Sequence, residues 1–200
     1  MFRLFFGFLL VIGASTAFAE GDAARGKGMT TVCAACHGAD GNSPAGTFPS
    51  LAGQNAKYLQ KQMNDIKSGA REVAVMAGQL DALSGQDMED IAAYFASQKP
   101  KGGAAKADLV DEGETIYRAG VARKNIAACT ACHGPKGEGL NDAKFPALAG
   151  QWPEYVEAQL KAFRTGMRHN DGESKMMRST AMDLSDEEIS AVASYIYGLR

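Results

Sequence analysis

The stretch Cys33-Ala34-Ala35-Cys36-His37 is followed 96 residues later by Cys129-Thr130-Ala131-Cys132-His133, and the two stretches contain all four cysteines of the chain. Two thiols separated by two residues and followed directly by a histidine are typical of covalent haem c attachment. On a helix, the histidine shares a face with the first thiol and can reach the iron. The sequence therefore predicts two covalently bound haem c groups, attached through Cys33, Cys36, Cys129 and Cys132, with His37 and His133 as axial iron ligands.

Two other kinds of site use the C-x-x-C pattern. It occurs in redox disulfides and as half of a zinc site, and four cysteines with two histidines are enough ligands for a metal cluster. A dithiol does not need the histidine that follows, however, and a zinc site does not need the whole pentapeptide repeated about a hundred residues later. Haem attachment accounts for every residue of the motif.

The first nineteen residues have the organisation of an export signal. Arg3 supplies a positive n-region, residues 5–12 form an apolar run, and Ala17-Phe18-Ala19 fits a small-x-small cleavage site. The apolar run is too short to span a bilayer in the mature protein. We expect cleavage after Ala19, which removes residues 1–19, and export to the periplasm, where the haems would be attached.

Length and charge narrow the class of protein. The chain has 200 residues, with 21 basic and 23 acidic side chains, and nothing in this balance indicates nucleic acid as a partner. The duplicated motif predicts two small domains at residues 20–98 and 109–200, joined by a polar linker with glycine and proline at residues 99–108. Each half is too small to bury a generous core alone, so a covalently held haem would supply the missing apolar mass.

The repeat extends well beyond the motifs. The segment Phe48-Pro49-Ser50-Leu51-Ala52-Gly53-Gln54 recurs as Phe145-Pro146-Ala147-Leu148-Ala149-Gly150-Gln151, an offset of 97. The same offset pairs Tyr58 with Tyr155 and Gln62 with Gln159, whereas the last part of each half matches at an offset of 101. The second half therefore has four extra residues between Gly166 and Leu184.

The hydrophobic pattern predicts helices throughout and an all-α fold. Opening helices are expected at Asp22–Val32 and Asp111–Ala119, and apolar residues beginning at Tyr58 and Tyr155 recur at helical spacing. Ser84 and Ser185 each precede an acidic residue by three positions, as in the capping box that begins a helix. The closing helices would bury Met88, Ile91, Ala92 and Phe95 in one half and Ile189, Val192, Ala193 and Ile196 in the other. No alternating strand pattern competes.

The sixth iron ligand can be narrowed by counting. The chain has three histidines, so only His169 remains and both irons cannot have two histidine ligands. Methionine, a soft thioether ligand that raises the reduction potential, is the alternative. Of nine methionines, only Met76 and Met177 occupy matching positions, each eight residues before a capping serine. We predict that they are the sixth ligands; Met176 competes with Met177 because the adjacent loop differs in length between the halves.

The remaining candidates fit ordinary roles. Met29, Met63 and Met88 align with aliphatic residues of the second half and are expected to pack in the core. His169 lies in a polar run within the insertion and is expected to be a surface-loop residue.

These motifs resemble the cytochrome c4 family over essentially the whole mature chain. The resemblance implies two class I cytochrome c domains related by a pseudo-twofold axis, with haem propionates facing one another across the interface. It also implies that the carbonyls of Pro49 and Pro146 orient the motif imidazoles, although each proline would equally serve to end a turn. Tyr58 and Tyr155 would donate to propionates, or simply pack as aromatic residues, while Leu51 and Leu148 would pack on the haem edges.

Two irons closed by histidine and methionine have no vacant position for a substrate, which predicts an electron carrier and not an enzyme. The resemblance implies a quinol-oxidising complex as donor, a terminal oxidase as acceptor and weak peripheral membrane association. An alternative is the dihaem subunit of a periplasmic dehydrogenase such as a flavocytochrome sulfide dehydrogenase. A dihaem peroxidase is disfavoured, because it needs an accessible iron with acid/base groups beside it and the chain has one spare histidine.

Overall fold

A computed structural model describes residues 21–199, in which every regular element is helical. The predicted signal peptide, residues 1–19, lies outside the described residues. Isolated bridges join Val121 to Ile126 and Leu140 to Phe145, but no strand forms between residues 21 and 199. The α-helices are α1 Ala23–Met29, α2 Thr31–His37, α3 Ala56–Lys67, α4 Gly85–Ala96, α5 Val110–Ala119, α6 Thr130–His133, α7 Pro153–Arg164, α8 Met176–Ala181 and α9 Asp186–Gly198, and short 3-10 turns span Ala74–Met76 and Ala122–Lys124. The predicted all-α fold is confirmed.

The closing helices α4 and α9 begin with the predicted capping boxes. The hydroxyl of Ser84 accepts the Asp87 backbone N–H at 3.2 Å, and the Asp87 carboxylate accepts the Ser84 N–H at 2.9 Å. Ser185 and Glu188 exchange the same two bonds at 3.2 and 2.9 Å. Each box satisfies two of the backbone N–H groups that a helix start leaves without partners.

The opening helices pack directly on the closing helices, α1 on α4 and α5 on α9. Glycine makes this close approach feasible: a Cβ atom added at Gly26 would lie 2.0 Å from the Asp90 carbonyl oxygen, and one at Gly113 would lie 2.3 Å from that of Ala191. The first opening helix is shorter than predicted. It ends at Met29 because the N–H and hydroxyl of Thr30 both bond to the Lys27 carbonyl, and a separate helix, α2, then begins.

Each half has its own hydrophobic core, centred on its closing helix. Every residue predicted to be buried on α4 and α9 is at most 3% exposed, which confirms those helix faces. Met29 and Met63 pack against the first core and Met88 is buried, as predicted for packing residues. Two separate cores in tandem are the arrangement expected from a duplicated domain.

The two halves dock through the repeated Phe-Pro segments. The side-chain amide of Gln54 donates to the Ala147 carbonyl at 2.8 Å and accepts the Ala147 N–H at 2.7 Å. Gln151 makes the equivalent pair of bonds with the backbone of Ser50, both at 2.9 Å. Exchanging the halves exchanges these two pairs of bonds, as a pseudo-twofold relation requires.

Candidate haem-binding sites and their shared interface

The first pentapeptide lies within α2, and the second begins at Cys129, the residue directly before α6. Each of these short helices ends at its motif histidine. The four cysteines are free. Burial raises the pKa of the Cys33 thiol, and raises that of Cys129 to about 11, so neither is poised as a thiolate near neutral pH. No group of three or more potential metal-binding side chains occurs between residues 21 and 199, so the structure does not gather the two motifs into a zinc cluster. Two thiols with one imidazole, present twice, match the requirements of haem c.

Both motif imidazoles are oriented by a proline carbonyl. Nδ1 lies 2.9 Å from the Pro49 oxygen in His37 and 2.9 Å from the Pro146 oxygen in His133, which confirms the contact expected from the resemblance. Burial lowers the pKa of both histidines, although the bonds to the proline carbonyls act in the opposite direction. A neutral imidazole that donates from Nδ1 keeps the lone pair of Nε2 available for iron.

The Phe-Pro segment links ligand orientation to domain docking. Phe48 and Phe145 place their ring centroids 6.4 Å from those of the His37 and His133 imidazoles. The next residue supplies the orienting carbonyl, and the glutamine at the end of the segment bonds to the other half. One short segment therefore fixes the imidazole plane and also attaches that half to its twin.

The two predicted methionine ligands lie in segments with different secondary structure. Met76 ends the 3-10 turn Ala74–Met76, whereas Met177 lies in the first turn of α8. Both side chains are half-buried. Their preceding neighbours are more exposed, Val75 at 58% and Met176 at 45%. The structure gives no contact that joins either methionine to its motif histidine, so their assignment as ligands stays a prediction. His169 is exposed in a loop, as predicted.

A pair of equivalent basic residues anchors the methionine loops, which are the segments that carry Met76 between α3 and α4 and Met177 between α7 and α9. Near the end of α3, Lys67 donates through Nζ to the carbonyls of Asp81 and Leu83. At the end of α7, Arg164 donates to the Leu184 carbonyl at 2.8 Å. Lys67 and Arg164 differ by the offset of 97 that governs the helices around them, so comparison of the two halves contained the signal for this shared anchor.

A polar cluster, here called the interface arginine cluster, joins the two halves. It consists of Tyr58, Gln62 and Arg71 from the first half and Tyr155, Gln159 and Arg168 from the second. Arg71 donates to the Tyr155 hydroxyl and to the Gln159 side-chain oxygen, both at 3.0 Å. Arg168 donates in the opposite direction, to Tyr58 and to Gln62, both at 3.1 Å. Each arginine thus connects its own half to the other.

The interface arginine cluster carries positive charge that no carboxylate neutralises directly. Among residues 21–199, neither Arg71 nor Arg168 forms an ion pair, and Arg168 is only 9% exposed. The neighbouring carboxylate of Asp65 is instead bonded to Lys61 and Asn170. A buried cation without an anionic partner is costly, so this site fits an anionic group that approaches it.

The tyrosines of the interface arginine cluster also favour binding of an anionic group. Burial alone would raise the pKa of Tyr58, but the charges of Arg168 and Arg71 outweigh it and lower the pKa below its ordinary value. Tyr58 and Tyr155 accept hydrogen bonds from the arginines, and neither hydroxyl donates to a protein group in the described part of the chain. Guanidinium groups and free hydroxyl protons are suited to carboxylates such as haem propionates. The haem edges therefore fit this interface.

Sequence reasoning recognised the tyrosines but missed the two arginines. Arg71 and Arg168 differ by the same offset of 97 as Tyr58 and Tyr155. The repeat therefore contains the signal for both arginines, although Arg168 also stands at the start of the polar run that contains His169.

Two helical domains, each with a thiol pair and a carbonyl-oriented histidine, define a two-domain c-type cytochrome. The Cytochrome c family model matches residues 23–99 and 110–200. Cytochrome c4 of Pseudomonas aeruginosa is 52% identical over the whole of both chains. A crystal structure of reduced recombinant cytochrome c4 from Pseudomonas stutzeri superimposes with a TM-score of 0.88 at 50% identity, covering 90% of this chain and 100% of that one. A protein of Stutzerimonas stutzeri named thiosulfate dehydrogenase electron acceptor is 42% identical over 82% of this chain and 76% of its own length.

The chain belongs to the cytochrome c4 family. It is a dihaem electron-transfer protein with two covalently bound haem c groups, and it is not an enzyme. When bound, each haem supplies an iron that takes up and releases one electron. Such a protein exchanges electrons with redox partners.

Proposed function

We propose that the chain is a periplasmic carrier that relays electrons in a respiratory chain, from a quinol-oxidising complex towards a terminal oxidase. The observation that carries the proposal is the matching geometry of His37 and His133, each held 2.9 Å from a proline carbonyl oxygen. Ligands held this firmly change little between oxidation states, which favours electron transfer over substrate chemistry. The predicted export signal favours the periplasm. No helix between residues 21 and 199 is both long and apolar enough to cross a bilayer. The proposal also includes weak peripheral association with the membrane, which the family resemblance implies.

The proposal assigns a role to each predicted site residue. Cys33 and Cys36 attach the first haem, and Cys129 and Cys132 attach the second. His37 and Met76 are the axial ligands of one iron, and His133 and Met177 are those of the other. The domains at residues 20–98 and 109–200 each contain one complete ligand set, and the linker at 99–108 joins them after removal of residues 1–19.

Reconstitution with membranes tests the proposed position in the chain. The purified dihaem protein is added to washed membranes that contain a quinol-oxidising complex and a terminal oxidase, and its visible spectrum is followed. We expect both haems to be reduced when quinol is supplied and reoxidised when oxygen is admitted. Blocking the quinol-oxidising complex should prevent the reduction. Failure of both haems to respond to quinol, with full reduction by dithionite, would exclude this donor.

A second candidate function is electron acceptance from a periplasmic dehydrogenase, with the chain acting as its dihaem subunit or partner. The 42% identity to a thiosulfate dehydrogenase electron acceptor favours it. A flavocytochrome sulfide dehydrogenase would co-purify with a flavin-containing subunit, whereas a thiosulfate dehydrogenase would reduce both haems when thiosulfate is added. A chain that purifies without an enzyme and responds only to quinol supports the respiratory carrier instead.

Loss of either interface arginine should lower the reduction potentials of both haems. In Arg71→Gln or Arg168→Gln, a positive charge that favours the reduced state is removed from a site shared by both halves. We expect a decrease of tens of millivolts, the order expected from one charge in a partly buried setting. Spectroelectrochemical titration that resolves the two haems measures the change.

Two further variants separate the charge from the geometry. Arg168→Lys keeps the charge but loses the planar fork, so it should retain most of the potential while weakening the docking of the halves. Arg118→Gln, which removes an exposed arginine paired with Glu114 on α5, should leave both potentials unchanged. A decrease confined to one haem in Arg168→Gln would contradict a shared role for the cluster.

A further inference from the structure

The methionine loop of the second half is closed by an ion pair, here called the Asp171–Arg178 clamp. One carboxylate oxygen of Asp171 accepts Nε–H of Arg178 at 2.7 Å, and the other accepts the Arg178 backbone N–H at 2.9 Å. The guanidinium also donates to the Gly172 carbonyl at 3.0 Å. The Asp171 side chain is only 5% exposed, and that of Arg178 is 24% exposed. Two bonds between Asp171 and Arg178, together with the bond from Arg178 to the Gly172 carbonyl, hold this loop more firmly than a surface ion pair would.

The clamp acts at the start of the helix that contains Met177. Lys175, which precedes α8, has a left-handed backbone with φ of 51° and makes no side-chain cap. Asp171 replaces the missing cap, because it accepts a backbone N–H of the first helical turn from a residue seven positions further along the chain. That N–H belongs to Arg178, the residue directly after Met177. Displacement of Met177 would have to move the backbone that Asp171 holds.

The first half has no counterpart of this clamp. Aligned on the methionines, Arg178 corresponds to Ala77, and Asp171 belongs to the four-residue insertion. The Met76 loop is a single 3-10 turn, Ala74–Met76, without a side-chain cap. Both loops share the basic anchor at their far end, formed by Lys67 or Arg164. Among residues 21–199, only the second loop has an ion pair between the start of the loop and the residue next to its methionine.

We propose that the Asp171–Arg178 clamp is a positioning device that keeps Met177 on the second iron under conditions in which the first iron loses Met76. This inference rests on the ligand assignments of the proposed function. When a methionine leaves its iron, the loop that carries it must open, and the clamp raises the free energy of the open second loop. The two haems therefore differ in how readily an external ligand displaces their methionines, although their inner ligands have the same chemistry.

Imidazole binding to the oxidised dihaem protein tests the clamp. Loss of methionine ligation is followed by the near-infrared methionine–iron charge-transfer band of the oxidised protein. The methionine methyl resonances of the same oxidised protein are assigned to each haem with Met76→Ala and Met177→Ala. In the unmodified protein, we expect imidazole to bind the first haem more tightly than the second. In Asp171→Asn, we expect the affinity of the second haem for imidazole to rise about tenfold, since a charge-assisted pair is lost, and that of the first to stay the same.

Further variants keep the test decisive. Glu114→Gln removes a half-exposed ion pair on α5 and should change neither affinity. If Asp171→Asn does not fold, Arg178→Lys, which retains the charge and the backbone bond, should produce a smaller rise at the second haem. An unchanged affinity in the aspartate variant, or an equal rise at both haems, would overturn the clamp. Methionine signals of the second haem that persist in Met177→Ala would instead show that the ligand assignment is wrong.

Discussion

Met177→Ala is expected to lower the reduction potential of the second haem by about 0.1 V or more, and to leave that of the first haem unchanged. A thioether ligand stabilises reduced iron, and the identity of the axial ligands changes the reduction potential of haem over a range of about 0.8 V. The open coordination position should also convert the second haem to a high-spin form. A redox titration that resolves the two haems, combined with absorption spectra at each potential, measures both effects.

The matched control is Met176→Ala, because Met176 is the neighbour that competes for the same role. Met176 is 45% exposed, and Met177 is less exposed. Removal of the Met176 side chain should therefore change neither reduction potential. A decrease in Met176→Ala, with no change in Met177→Ala, would reverse the assignment. Met76→Ala should act on the first haem alone, since Met76 is the predicted ligand of the other half.

Replacement of both Cys129 and Cys132 by alanine is expected to leave one covalently bound haem per chain. The second half should also lose most of its tertiary structure. Cys129 packs against the second hydrophobic core, and a domain of this size depends on the haem for much of its buried apolar surface. Intact-protein mass spectrometry counts the haems, and circular dichroism should show a loss of up to about half of the helical signal.

The symmetric variant, with Cys33 and Cys36 replaced by alanine, gives the comparison. It should retain the second haem and the fold around α9, which packs on α5 within its own core. Two haems remaining in either double variant would show that attachment does not depend on these thiols. A chain that stays fully helical with one haem would show that the domain without haem is stable without its cofactor.

Much of the fold could be predicted from local signals. The capping boxes at Ser84 and Ser185 begin helices where predicted, because a cap depends on residues three positions apart. The buried faces of α4 and α9 follow from apolar residues at helical spacing. The break at Thr30 was not predicted, because a threonine that bonds back to the preceding turn gives no periodic signal.

Part of the haem-binding site could also be predicted from the sequence. The two C-x-x-C-H motifs determined the number of haems, because each attachment motif consists of five consecutive residues. The assignment of His37 and His133 as axial ligands stays a prediction. The orienting role of Pro49 and Pro146 followed from the family resemblance, and the structure confirms both contacts. Comparison of the halves also narrowed nine methionines to two, because equivalent positions in a duplicated domain face equivalent surroundings.

The sequence by itself therefore determined what lies within each half: the helices, the haem attachment and the candidate ligands. Only the tertiary structure decided how the halves meet. The side chains of Gln54 and Gln151 each bond to the backbone of the other half. Arg71 and Arg168 each donate to a tyrosine of the other half. Local patterns report neighbours along a helix, whereas these contacts join residues 84 or more positions apart and exist only after the domains dock. The repeat identifies Arg71 and Arg168 as equivalent positions, but only docking of the halves brings their charges together in an interface that requires an anionic partner.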